Sequence, residues 1–158
     1  MSYYLVRIGE GSKYTEEGRR NNFVAVGWKE VADLQILNSL EEIKKSLSKH
    51  YNYSPAQIAA QAGQLYRFGL EITSRDVILS PLGGDEYLVG NAGEYFFEKN
   101  PKGTCPYKHR RKVSWKDKTI LKEDMSTNLS YAVGATLTIF SLDKYADESN
   151  CSISSGFK

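Results

Sequence analysis

The sequence predicts an α+β domain: a small, partly open β-barrel of about six strands flanked by two or three helices. Three observations carry that expectation. Six short segments are rich in β-branched and aromatic residues. Two helix-start signals follow one another at Ser39 and Ser54. From residue 76 to residue 142 the strands then succeed each other with no long helix between them. That last feature weighs against the alternative, a three-layer α/β sandwich.

Tyr3 to Ile8 alternates and reads as the first strand, which Gly9-Glu10-Gly11-Ser12-Lys13 breaks. Residues 14–22 are polar and predict a short helix or loop. The chain is organised around Phe23-Val24-Ala25-Val26-Gly27-Trp28, an apolar run that predicts a strand covered on both faces and ending on a tryptophan. Ser39-Leu40-Glu41-Glu42 is a capping box, after which Leu40, Ile43 and Leu47 form one apolar stripe to about residue 50. Ser54-Pro55-Ala56-Gln57 opens a second helix with proline where its missing N–H costs nothing, and Ile58, Ala62, Leu65, Gly69 and Ile72 share a face. Asp76–Pro81 and the strand from Glu86 to Phe97 read as a hairpin around Gly83-Gly84-Asp85. Residues 98–110 contain Pro101, Gly103 and Pro106 and predict a loop. A fifth strand starts at Lys112 and extends towards Leu121, Ser126–Val133 makes one or two helical turns, and Ala135–Leu142 alternates as the last strand. Residues 1–143 are thus read as one domain, and residues 144–158 as a linker or disordered tail.

At 158 residues the chain is long enough to bury a core without disulfides or metals. Cys105 and Cys151 show no C-x-x-C or Cys/His spacing, and His50 and His109 are isolated, so no metal and no cofactor is expected. Free thiols fit a reducing compartment. No stretch approaches the ~20 apolar residues of a membrane span, so a cytoplasmic protein without a membrane partner is expected. The net charge of +2 argues for no partner by itself, but its distribution does. Residues 99–118 hold eight Lys or Arg against Asp117 alone, a local charge of +7, which leaves the remainder of the chain at −5.

That basic segment is the main chemical signal. Phosphate binding needs several cations in one patch, and Lys108, His109, Arg110, Arg111 and Lys112 supply them in a run, with Tyr107 and Trp115 interleaved as faces for an unpaired base. The competing reading is an exposed strand edge kept from aggregating by its charges. Gln64 and Arg67, three apart on the second helix, share a face that would read a base edge or hold a phosphate if it bordered Trp28, and is otherwise plain helix surface. Trp28 itself is either a pocket wall for a flat ring or a packing residue. Catalytic signatures are missing: there is no G-x-S-x-G, no P-loop, no completed G-x-G-x-x-G, and the one acid-x-Lys match, Glu42-Ile43-Lys44, falls on a helix. The chain is therefore read as a non-enzyme. The rival from another class is a small nucleotide-acting enzyme using Asp33 or Asp76 with His109.

The order of Tyr3-Tyr4-Leu5-Val6-Arg7, Phe23-Val24-Ala25-Val26-Gly27-Trp28, Ser74-Arg75-Asp76-Val77-Ile78-Leu79, Tyr87-Leu88-Val89-Gly90 and Arg111-Lys112-Val113-Ser114-Trp115 resembles the PUA-like superfamily, in particular its EVE and YTH branches. Ala62-Gly63-Gln64-Leu65-Tyr66-Arg67-Phe68, His109–Trp115 and Leu137–Leu142 are most similar to segments of the N-terminal specificity modules of Mrr-type modification-dependent restriction endonucleases. The resemblance runs from about residue 3 to residue 142. It implies a PUA-like barrel with an aromatic pocket for a methylated or otherwise modified base flipped out of DNA, with cleavage left to a nuclease domain or subunit elsewhere. It implies that Trp28 is the first pocket wall, with Tyr107 in the loop before the fifth strand and Tyr66 as further ring faces. Combined with the residue readings above, the expected base pocket is Trp28, Gly27, Tyr66, Tyr107 and Gln64, and the expected phosphate contacts are Arg67, Lys108, His109, Arg110, Arg111 and Lys112. DNA is favoured over RNA, and RNA binding of the EVE/ASCH kind is the alternative ligand.

Overall fold

The computed structural model describes residues 1–135 and 137–145. The expected tail lies almost wholly outside the described residues. Strands β1 (Tyr3–Val6), β2 (Phe23–Val26), β3 (Val77–Gly83), β4 (Glu86–Phe97), β5 (His109–Trp115), β6 (Ile120–Leu121) and β7 (Ile139–Ser141) form one sheet. Helices α1 (Thr15–Asn21), α2 (Leu34–Leu37), α3 (Leu40–His50) and α4 (Pro55–Tyr66) precede β3, and α5 (Thr127–Ala132) precedes β7. The α+β class stands.

The strands run in the order β2-β5-β4-β3-β1-β7, with β6 added beside β4. β1 and β3 pair in parallel, and the other ladders are antiparallel. Parallel neighbours require a crossover, and here it carries β2 and four helices. Among the described residues no ladder joins β2 to β7, so the sheet is open and the expected barrel is not closed. The physical reason lies on β7. The amides at its start are taken by a side chain of α4: Gln64 Oε1 accepts from the N–H of Thr138, which immediately precedes the strand, at 3.0 Å and from Ile139 N–H at 3.2 Å. An edge satisfied in this way has no donors left there for another strand.

Both faces of the sheet are covered. Tyr4, Val6, Val24, Val26 and Ile78 pack with Leu34, Ile43, Leu47, Leu65 and Phe68 beneath the helices that precede β3. Tyr3, Leu5, Val77, Leu79 and Val89 point the other way, towards Met125, Leu129 and Val133 around α5. Burial of β1 and β2 on both faces explains their unbroken apolar runs. Each fully buried Leu, Ile or Phe contributes roughly 1.5–3 kcal/mol.

Three local expectations change. The box at Ser39 is half-made: Ser39 Oγ accepts from Glu42 N–H, but the Glu42 carboxylate turns to Lys45, 3.3 Å away. At Ser54 both reciprocal bonds form. The fifth strand begins at His109, three residues earlier than expected, and stops at Trp115; Ile120–Leu121 is a separate two-residue strand on the same edge of β4, beyond the end of β5 and opposite β3. The last strand shrinks to Ile139–Ser141. Cys105 is buried in the core, which pushes its thiol pKa up, and Cys151 lies outside the described residues. No helix among the described residues is long and apolar enough to cross a membrane.

Candidate functional site

The candidate site is built from the end of β2 outward. Gly27 and Trp28 leave the strand, and Trp28 adopts a left-handed backbone with φ 58°. For a bulky side chain that conformation costs on the order of 1–2 kcal/mol, so the surroundings must hold it. The Trp28 carbonyl accepts from Val31 N–H at 3.0 Å and faces His109 Nε2 at 3.3 Å. A carbonyl only accepts, which places the His109 proton on Nε2 and leaves Nδ1 to accept from the Tyr95 hydroxyl, 2.9 Å away. Tyr95 Oη in turn accepts from Leu34 N–H at 3.1 Å. Burial lowers the His109 pKa from 6.5 to about 4, so the ring is neutral at pH 7.

The half-buried Trp28 borders a cleft of about 810 Å³ together with Gly27 and Tyr107. Volumes of this order are typical of ligand sites. Tyr107 packs edge-on to Tyr14, with ring centroids 5.2 Å apart and planes at 79°. A Cβ at position 27 would sit 3.7 Å from Tyr107 Cε1, so the missing side chain leaves the Tyr107 ring lying over bare backbone beside Trp28.

The floor comes from three adjacent strands. Leu5, Leu79 and Val89 form one cross-strand row; two residues further in the same direction lie Arg7, Pro81 and Tyr87, with Pro81 opposite Tyr87. All three line the cleft. Arg7 also fixes the facing wall. Its Nη2 donates to the carbonyls of Val133 (2.6 Å) and Ala135, and its Nε to that of Leu137 at 3.2 Å. Burial raises the Tyr87 pKa, and the nearby Arg7 charge acts against that rise. Thr138, immediately before β7, also lines it, so segments adjoining both edge strands of the open sheet border the same space.

Of the eleven residues expected at the site, Gly27, Trp28 and Tyr107 meet in the cleft. Gln64 does not, because its amide caps β7. Tyr66 packs half-buried against the core, and Arg67 is held by Glu71 at 3.2 Å, the carboxylate that also accepts from the Tyr4 hydroxyl. The basic run divides by depth. His109, Arg110 and Arg111 are buried, Lys108 is half-buried and Lys112 is exposed. Arg110 donates to the carbonyls of Tyr107 (2.9 Å) and Cys105 (3.0 Å) and stacks over the Phe23 ring. Arg111 is only 3% exposed and donates to Phe68 O and Gly93 O. These three side chains are structural where they were expected to grip phosphates. The exposed cations of the segment are Lys99, Lys102, Lys112 and Lys118.

The Arg111 contact depends on helix register. After α4 the chain makes a π-helical turn, Arg67–Glu71, in which Ile72 N–H bonds the Arg67 carbonyl. In an α-helix that amide would take the Phe68 carbonyl. The wider turn leaves Phe68 O for the Arg111 guanidinium, at 3.0 Å from Nε and 2.6 Å from Nη2. Trp115, read as a stacking face, instead donates its indole N–H to Gly18 O at 3.0 Å. Asp33 caps α2, and Asp76 accepts from Ser2 N–H and from Thr73, so neither borders the cleft. Arg7 and Tyr87 were missed; the signal in the sequence was a lone cation and a tyrosine on strand faces otherwise apolar.

No curated protein and no solved structure matches the chain. One family model does, over residues 4–143, which is most of the chain. The chain therefore belongs to the family described as a domain of unknown function, DUF8426.

Proposed function

We propose that this is a PUA-like domain that binds DNA and takes a modified base, flipped out of the duplex, into the cleft bordered by Trp28 and Tyr107. The observation that carries the reading is Trp28 itself. A half-buried indole is held in a costly left-handed conformation at the mouth of a cleft, beside a second aromatic ring and the Arg7 cation. A neutral methylated base asks for stacking and an apolar recess, which these groups supply. Unstacking the base costs a few kcal/mol, offset by stacking and by phosphate contacts from the exposed lysines of 99–118. The parallel β1–β3 pair and the segments that adjoin both sheet edges at one cleft suit a curled, PUA-like sheet. On this reading the chain is a sensor, and cleavage belongs to another domain or subunit of a restriction system.

The test is a fluorescence-anisotropy titration of duplexes that differ only in one modified base, with structured RNA as competitor. Wild-type protein should prefer a modified duplex, and Trp28→Ala should erase that preference while the melting temperature stays near that of the wild type. Equal binding of modified and plain duplexes by the wild type defeats the proposal. Displacement by structured RNA at lower concentration than by DNA assigns the cleft to RNA instead.

A further inference from the structure

Resting on that reading, we infer that Glu17 is a positioning residue for the Tyr107 wall. Its carboxylate latches the loop of residues 98–108 onto α1, and the cleft selects its ligand only while that latch holds. Glu17 does not line the cleft itself and acts through Tyr107, which does.

The loop joins β4 to β5 as a strap. At its neck Glu98 N–H donates to the Lys108 carbonyl at 2.8 Å, which closes the strap on itself. Further along, Glu17 Oε1 accepts from two successive amides, Thr104 N–H at 2.8 Å and Cys105 N–H at 2.9 Å. Successive amides aimed at one oxygen make an anion seat, and hydrogen bonds to an ionised acceptor are roughly twice as strong as neutral ones. Gly103 completes the seat. A Cβ there would lie 2.4 Å from Glu17 Oε2, so any side chain would push the carboxylate off the strap. Among the described residues Glu17 forms no ion pair, and the strap is its partner.

Latch and wall meet on one helix. Tyr14, at the N-cap of α1, packs edge-on against Tyr107, and Glu17 follows three residues later on the same side. Thr15 Oγ1 donates to the Pro81 carbonyl at 2.9 Å, so α1 is also tied to the cleft floor. Arg110 binds the carbonyls of Cys105 and Tyr107, and the strap therefore hangs between an arginine of β5 and a glutamate of α1. Without the carboxylate, the ring contact of Tyr14 with Tyr107 loses its hydrogen-bonded support, and the wall stands open for part of the time.

The experiment uses a Trp115→Phe parent, in which Trp28 is the only indole. Into it go Glu17→Ala, Glu17→Gln, Gly103→Ala and Ile43→Val. Each protein is melted, quenched with acrylamide, and titrated with a plain duplex and with duplexes bearing one 5-methylcytosine or one N6-methyladenine. Glu17→Ala should bind the preferred modified duplex about fivefold more weakly than the parent, as when the wall is in place about one-fifth of the time. Plain duplex should be weakened less, and Trp28 should be quenched more. Gly103→Ala displaces the carboxylate at a position with no left-handed backbone, and should move both readouts the same way. Glu17→Gln removes the same charge but keeps an acceptor at Oε1, and should restore most of both. Ile43→Val trims the buried core on α3; it should lower the melting temperature and move neither. A Glu17→Ala protein with the parent's preference overturns the latch. So does an Ile43→Val protein that loses preference as Glu17→Ala does, since stability alone then explains the loss. If the parent itself shows no preference, the base reading fails and quenching decides the latch: higher in Glu17→Ala and Gly103→Ala it stands, unchanged it falls.

Discussion

The buried ring of His109 stands with Nε2 3.3 Å from the carbonyl oxygen of Trp28, so the backbone that carries the pocket indole hangs on a neutral imidazole in the core. The hydrogen bonds continue through Tyr95 to the amide of Leu34 at the start of α2. A residue in the centre of the basic run thus serves the site from behind, by holding its wall.

This link makes stability depend on acid. The folded-state pKa of His109 is lowered to about 4 from 6.5, so between these values the unfolded chain binds a proton that the folded chain refuses. Stability from this group is complete above pH 6.5, falls as the pH drops towards 4, and is lost by on the order of 3 kcal/mol below that. Urea midpoints measured across pH 4–7 should show this slope, and His109→Gln should flatten it relative to the wild type.

Arg111 and Lys112 are sequence neighbours with opposite roles. Arg111→Ala leaves the carbonyls of Phe68 and Gly93 unpaired and should cost about 3 kcal/mol of unfolding free energy. Lys112→Ala should change stability by less than about 0.5 kcal/mol. In the proposed DNA complex the roles reverse: Lys112→Ala should reduce the slope of log K against log salt by about one unit. Denaturant melts and titrations at four salt concentrations check both halves.

Gln64 is the cap of the open sheet. Gln64→Leu keeps most of the side-chain volume and removes the acceptor of two amides, so it should cost about 2 kcal/mol. Hydrogen exchange should show the amide of Ile139 losing protection before those of β3. Equal protection in the variant would mean that the edge is held by other contacts.

Gly18 sets the place of Trp115. A Cβ there would lie 2.4 Å from the carbonyl oxygen of Phe23, and the Gly18 carbonyl receives the Trp115 indole N–H. Gly18→Ala should therefore lower the melting temperature by several degrees, a loss of about 2 kcal/mol or more. Trp115→Phe, which removes the N–H and keeps a ring, should lose less. Near-UV circular dichroism reports whether the indole environment changes.

The sequence by itself determined most of the elements, though not α2 or the bounds of the strands after β4. The starts at Ser39 and Ser54 are written in side chains that answer amides three residues away, and local bonds need no tertiary context. The hairpin at Gly83–Asp85 and the doubly covered β2 were legible for the same reason, since turn chemistry and apolar runs act within a few residues. Only the tertiary structure decided depth and partnership. Consecutive cations of the basic run could not be sorted into buried and exposed from composition, because Arg111 is drawn inward by a carbonyl that a π-turn, forty-three residues earlier, leaves open. The floor of the cleft was hidden likewise: Arg7, Pro81 and Tyr87 become neighbours only when a parallel pair and a hairpin bring three strands into register.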